Sequence, residues 1–250
     1  SEIYEGLMTA YDVTDKTKPV EINGVKTPFA FTHNNWPSDD NRYMFTTDEK
    51  ENAYVAAYDI SDIHNIKLLD QWRPKDTEGT GVIPHNTRYL DGYLITAYYT
   101  DGVKIIDAHR PENLIEVGSV DTYFGNQTGF HGCWGVSPFL PSKTIIASDI
   151  EGGLFIIKPE YIRACYLEGI VRDSLTDEVL SNVTVRLITP RKNNELTNLK
   201  GEYKTGYADP GTYTVEFSHP DYNSFSTSAV LENGIVTIKN VKLYPKNTIV

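Results

Sequence analysis

The chain writes one pattern three times. The stretch "IPHNTRYLDGYLITAYYTDGVKIID", Ile83 to Asp107, has counterparts in "FTHNNWPSDDNRYMFTTDEKENAYVAAYD", Phe31 to Asp59, and in "GFHGCWGVSPFLPSKTIIASDIEGGLFII", Gly129 to Ile157. Each copy opens on a histidine: His33, His85 or His131. A second marker, "YDVTD", "YDISD" and "IIDAH", carries Asp12, Asp59 and Asp107 at intervals of 47 and 48 residues. A period in the forties built from short alternating apolar runs, with no helical periodicity, is the signature of a repeated four-stranded β unit.

The copy around His85 resolves into four strands. "HNTRYL" leads through an Asp91–Gly92 turn, a strong hairpin signal, into "YLITAYY". A "TDG" turn gives "VKIID", and "HRPEN" leads to "LIEVGSV". The His33 copy reads "NNWPS", "RYMFTT", "AYVAAYD" and "IKLLDQW" in the same order, and the His131 copy supplies "GCWGV", "KTIIAS" and "GLFII" before stopping at Lys158–Pro159. The opening "LMTAYDVTDKTKPVEI" supplies the last two strands of an earlier unit. The expected architecture for residues 1–160 is therefore about three and a half blades of a β-propeller. Propellers close with roughly four to eight blades, so this reading expects further blades upstream.

After Pro159 the pattern changes. Tight alternation at Val183, Val185 and Leu187, at Tyr213, Val215 and Phe217, and at Val236, Ile238 and Val241 predicts seven short strands joined by Gly, Pro, Asn and Asp turns. Residues 164–245 read as a small β-sandwich. The whole chain is expected to be all-β.

Two family resemblances follow from these motifs. "GIVRDSLTDEVLSNVTVRL", "NLKGEY", "DPGTYTVEFSHPDY" and the closing "VKL" resemble the carboxypeptidase regulatory-like domain, a transthyretin-like module, over Leu167 to Tyr244. That resemblance implies an accessory spacer or contact platform, with Gly201 and Gly211 relaxing tight turns. "YDISDIHNIKLLDQW", "PHNTRYLDGYLITAYYTDGVKIID" and "ASDIEGGLFII" resemble LVIVD-repeat propellers, in particular the exported choice-of-anchor B group, over residues 7–158. This second resemblance implies an extracytoplasmic, secreted or cell-surface protein, although the closing "YPKNTIV" shows no recognisable anchor.

Charge narrows the partners. All of the formal net charge of −11 falls in residues 1–160, which hold 24 acidic and 13 basic residues, while residues 161–250 balance at ten each. An acidic first part argues against nucleic acid and anionic membranes as partners. No run approaches the ~18 apolar residues of a transmembrane segment. The partners expected are a protein or glycan ligand at the cell surface, or the other components of a larger envelope assembly. Cys133 and Cys165 define no metal motif; they are expected to form one bridge, which an oxidising compartment favours, or to be two buried thiols.

The histidines carry the candidate chemistry. In a four-stranded blade the first strand lines the channel, and the start of that strand lies beside the end of the second. His33, His85 and His131 open their first strands; Asp48, Tyr98 and Asp149 close their second strands. Together these six residues are expected to form one ligand-binding channel mouth. Three imidazoles backed by carboxylates can hold Zn²⁺ or copper, or clamp an anion; equally, a His–Asp hydrogen bond in each blade can pin a loop and nothing more.

Trp36, Arg88 and Trp134 each follow their histidine by three residues, which predicts packing between neighbouring blades, with a sugar-stacking platform as the alternative. Asp39, Asp40, Asp48, Glu49 and Glu51 form an acidic stretch that could hold Ca²⁺ on loops or simply be solvated. His64 and His109 fall in turns on the opposite face, and His219 in a turn of the sandwich. Asn126–Gln127–Thr128 and Asn182–Val183–Thr184 match the glycosylation sequon. The sequence contains no G-x-S-x-G, H-E-x-x-H, P-loop or dinucleotide fingerprint, and an enzyme is the less favoured reading.

Overall fold

A computed structural model describes residues 1–246; Asn247 to Val250, part of the closing segment "YPKNTIV", lie outside the described residues. The chain divides into two compact units, Ser1–Tyr161 and Ile162–Val250, and contains strands but no helix among the described residues. No helix is long and apolar enough to cross a membrane.

The first unit is a series of antiparallel meanders. A two-stranded sheet pairs β1 (Leu7–Asp12) with β2 (Val20–Lys26). A four-stranded sheet follows in the order β3 (Thr32–Pro37), β4 (Tyr43–Asp48), β5 (Val55–Asp59) and β6 (Lys67–Trp72). The next four-stranded sheet runs β7 (Thr87–Leu90), β8 (Tyr93–Ala97), β9 (Val103–Asp107) and β10 (Ile115–Val120). The last has three strands, β11 (Cys133–Ser137), β12 (Ile145–Asp149) and β13 (Gly153–Ile157).

These sheets pack face to face. Val55 and Ala57 of β5 turn one way, with Phe45, into a core shared with Leu94, Ile106 and Leu114 of the next sheet. Ala56 and Tyr58, alternating with them, turn the other way towards Met8 of β1. Two-sided burial explains why "VAAYD" and "VKIID" read as continuous apolar runs and not as half-polar strands. The first strands of successive sheets adjoin: β3 lies beside β7, and β11 beside β7 and β8.

The repeat marker has a local cause. Asp12, Asp59 and Asp107 each end a strand and accept the backbone N–H two residues on, from Thr14, Ser61 and His109, at 2.8–2.9 Å. Each aspartate folds the same turn with its own side chain. At the Asp91–Gly92 hairpin both residues have positive φ, 48° and 86°, the combination a two-residue β-hairpin requires and the reason for glycine there.

The second unit is a sandwich of two sheets. One holds β14 (Cys165–Asp173) between β17 (Glu202–Tyr207) and a parallel edge formed by β20 (Val236–Ile238) and β21 (Val241–Leu243). The other runs β16 (Asn194–Leu196), β15 (Thr184–Leu187), β18 (Gly211–His219) and β19 (Tyr222–Leu231). The core between them gathers Leu167, Val171, Val183, Val185, Leu187, Val215 and Phe217.

Eight strands are described here where the sequence suggests seven. The eighth arises because Lys239 and Asn240 interrupt the parallel edge: the Asn240 side-chain oxygen accepts the Ile170 N–H at 2.9 Å, and Lys239 N–H donates to Glu168 O. Gly169 permits that approach, since a Cβ there would stand 2.1 Å from Lys239 O. Gly201 does occupy a tight turn, at φ 71°, whereas Gly211 begins β18 with no positive φ, so its expected turn role does not hold. Of the two states expected for the cysteines, the structure shows the second and not the favoured bridge: Cys133 and Cys165 are free, buried thiols, one at the start of β11 and the other inside the sandwich core.

Candidate functional site

The site is built by a register irregularity repeated at the start of three sheets. In the β3–β4 pair, Thr32 faces Asp48 and Asn34 faces Thr47, so His33 is an extra, bulged residue. In the β7–β8 hairpin the His85 N–H donates to Ala97 O while the Ala97 N–H donates to Asn86 O, so two residues again face one. In the β11–β12 pair, Cys133 faces Asp149 and Gly135 faces Ser148; the bulged residue is Trp134. A bulge leaves one residue out of the ladder and re-aims its side chain.

The three bulged side chains meet. The His33 and His85 rings stack with centroids 4.3 Å apart and planes at 24°; His85 stacks in turn on Trp134 at 5.4 Å and 26°. Structural register therefore aligns His33, His85 and Trp134. His131, which sequence spacing puts third, lies three residues too early to occupy that position. Its Nδ1 sits 2.6 Å from Glu151, whose other oxygen accepts the Gly132 N–H, and its ring stacks on Tyr123. Those bonds hold the Glu151 carboxyl below its ordinary range, the His131 contact contributing most.

Glu49 joins the first two rings. Its carboxylate lies 3.5 Å from His33 Nδ1 and 3.4 Å from His85 Nε2, and accepts a 2.6 Å hydrogen bond from the Tyr99 hydroxyl. His85 is the buried member, with its side chain 3% exposed, against 22% for His33 and 17% for Glu49. On its far side the His85 Nδ1 contacts the Trp134 carbonyl, and the Asn86 amide nitrogen is 2.8 Å from the same ring nitrogen. The Trp134 carbonyl only accepts and the Asn86 amide nitrogen only donates, so the two contacts call for opposite tautomers; with the proton on Nδ1, as the Trp134 contact requires, Nε2 presents a lone pair towards Glu49. Burial foremost, with the neighbouring His33 and Arg88, lowers the His85 pKa against the opposing pull of the Trp134 bond and Glu49, which favours the neutral ring. Burial and the Glu49 bond together raise the Tyr99 hydroxyl well above its ordinary range.

The remaining residues proposed from sequence serve the scaffold. Asp48 is buried and accepts from the Thr27 hydroxyl and from the Phe29 and Phe31 N–H groups at 2.9 and 3.0 Å. Asp149 accepts from the Thr122 hydroxyl at 2.8 Å and from the N–H groups of Glu151 and Gly152. Thr77 makes the equivalent bond to Asp101 at 2.9 Å. Three loops are thus pinned by threonine–aspartate pairs, the job the sequence reading gave to histidine–aspartate pairs. Tyr98 is fully buried and donates to Ala53 O at 2.8 Å, and its hydroxyl is pushed far up by burial.

Of the aromatic set, Arg88 lies 4.6 Å over the Trp36 ring, which also stacks on Phe139, so these side chains link three repeats. Trp134 does not join them and is 55% exposed. The acidic stretch disperses to separate partners: Asp40 holds its own turn through Ser38 and Arg42, Asp48 holds the Thr27 loop, and Glu49 meets the imidazoles. Among the described residues, the donors close enough to share a cation are His33, Glu49 and His85, all within 4.8 Å of one another. Sequence reasoning missed Tyr99, and it gave Glu49 to an acidic stretch and Trp134 to packing or sugar stacking without joining either to the histidines. The available signal was the strand register: Glu49 and Tyr99 each stand one residue after the position of Asp48 and Tyr98.

Among solved structures, the chain is similar at low identity to two streptococcal pilus proteins and to a Bacillus anthracis protein. GBS52, the minor pilin of Streptococcus agalactiae, is 13% identical over 44% of this chain and 63% of that one, with a TM-score of 0.29. The group B streptococcus pilus 2b backbone protein is 13% identical over 82% and 94%, with a TM-score of 0.29. The Bacillus anthracis TIE protein is 10% identical over 96% and 40%, with a TM-score of 0.31. The chain spans less than two thirds of the GBS52 and TIE chains. No curated protein matches it. The family that does match is confined to the second unit: residues 166–244 fit the carboxypeptidase regulatory-like domain.

Proposed function

We propose that this chain is an extracytoplasmic, cell-surface binding or structural protein. In this reading the first unit is part of an LVIVD-type β-propeller that serves as the contact platform, and the carboxypeptidase regulatory-like unit is its accessory spacer. The observation that carries the reading is the last sheet of the first unit. It ends at β13 after three strands, where the two preceding repeats have four. Leu154 and Ile156 of β13 are 66% and 72% exposed, and Ile150 and Phe139 nearby in sequence are also exposed. Unpaired, apolar strand edges are sites of strand addition and protein contact, and soluble chains seldom leave them bare. The occupant in this reading is a protein component of a larger surface assembly, whose strand or apolar face completes the sheet.

The test is a photo-crosslinking side chain placed at Ile156 in the full-length protein on intact cells. A discrete protein adduct, lost when Leu154 is changed to Lys, supports the platform reading. Protein that is folded, surface-exposed and free of any adduct at this position contradicts it, as does protein retained in the cytoplasm.

A further inference from the structure

We infer that His33 Nδ1, Glu49 and His85 Nε2 form a binding site for one divalent first-row transition metal ion, with Zn²⁺ the best fit. The first support is spacing. Zinc binds imidazole nitrogen and carboxylate oxygen at about 2.0–2.2 Å, so ligand atoms around a tetrahedral ion stand roughly 3.3–3.5 Å apart. Glu49 lies 3.5 Å from His33 Nδ1 and 3.4 Å from His85 Nε2. These separations are too long for hydrogen bonds to the ring nitrogens and match two edges of such a coordination shell.

The second support is polarity. With the proton of His85 on Nδ1, against the Trp134 carbonyl, its Nε2 lone pair faces a carboxylate oxygen. The His33 Nδ1 is buried and has no hydrogen-bond partner. A lone pair and a carboxylate that face each other repel unless a cation lies between them, and His33 Nδ1 stands beside the same carboxylate. Two of the three ligands are held by a further hydrogen bond: His85 Nδ1 meets Trp134 O, and the Tyr99 hydroxyl donates to the Glu49 oxygen that faces His85. Mixed nitrogen and oxygen donors favour zinc or copper over calcium or magnesium.

The geometry also specifies a motion. A shared ion must lie in the plane of both imidazoles, and the His33 and His85 planes now stack at 24°. His85 is locked by its carbonyl bond and burial, so His33, the more exposed ring, turns out of the stack to bind. Three protein ligands leave the fourth position to water.

The experiment titrates Zn²⁺ into chelator-treated full chain by calorimetry, with Co²⁺ absorption as the geometric readout. One ion per chain is expected, with the intense visible bands of tetrahedral Co²⁺. His33→Ala and Glu49→Gln, whose side chains are partly exposed, should weaken binding at least tenfold while leaving the circular dichroism spectrum unchanged. His131→Ala should bind as the parent does. Absence of stoichiometric binding overturns the proposal. So does binding that survives both ligand substitutions, or that is lost with His131.

Discussion

Asp48 and Cys133 show how single residues separate scaffold from site. Replacing Asp48 with Ala leaves the Phe29 and Phe31 N–H groups without their acceptor in a half-buried loop, while the Thr27 hydroxyl keeps Thr32 and Gly6 O as partners. At roughly 1 kcal/mol for each orphaned donor, the loss is about 2 kcal/mol of folding stability, read from the midpoint of urea unfolding. A Thr27→Val change should cost less, because only one of the three donors is removed. Burial, with Asp149 alongside, raises the Cys133 thiol to about 12. At pH 8 only about one part in ten thousand is then thiolate, so iodoacetamide should leave the native thiol unmodified and label it only after denaturation. The folded chain keeps this proton where the unfolded chain releases it near pH 9. Its contribution to stability is complete below about pH 9 and is lost as pH rises from there towards about 12, which denaturant midpoints across that range would register.

Strands were the legible element and register was not. The apolar runs placed β3 to β13 within about two residues of their observed spans, because a residue's alternation and its flanking turn chemistry are local properties; the opening segment, read only to Ile22, stopped short of β2, which runs to Lys26. The Asp12, Asp59 and Asp107 marker was legible for the same reason, since each aspartate bonds a neighbour two residues away. The bulges at His33, His85 and Trp134 depend on which residue faces which across a hairpin, and the three hairpins differ in loop length. Aligning on histidine identity therefore put His131 where Trp134 stands. The sandwich shows the same limit: its apolar alternation marked the core, but the break that splits β20 from β21 is a long-range approach of Lys239 to Gly169. Gly169→Ala should destabilise the sandwich by on the order of 2 kcal/mol, measured as a lowered melting temperature, because the added methyl meets Lys239 O.

At the scale of the molecule, each unit has a core of its own. The sandwich core draws only on residues of the second unit, and the stacked sheets draw only on the first. Residues 162–250 produced alone should therefore unfold in a single cooperative thermal transition; a broad, non-cooperative melt would show that they need the first unit. Charge is divided in the same way, with the acidic excess carried entirely by residues 1–160, the part assigned to ligand contact.

The account rests most heavily on the claim that strand register brings His33, His85 and Trp134, one residue from each repeat, into a single stack. The measurement that tests it most directly is a nuclear Overhauser experiment on chelator-treated protein with labelled histidine and tryptophan rings. The account predicts contacts from the His85 ring to both His33 and Trp134, and none from His131 to any of the three. Contacts from His131 to His33 or His85, with Trp134 silent, would contradict it.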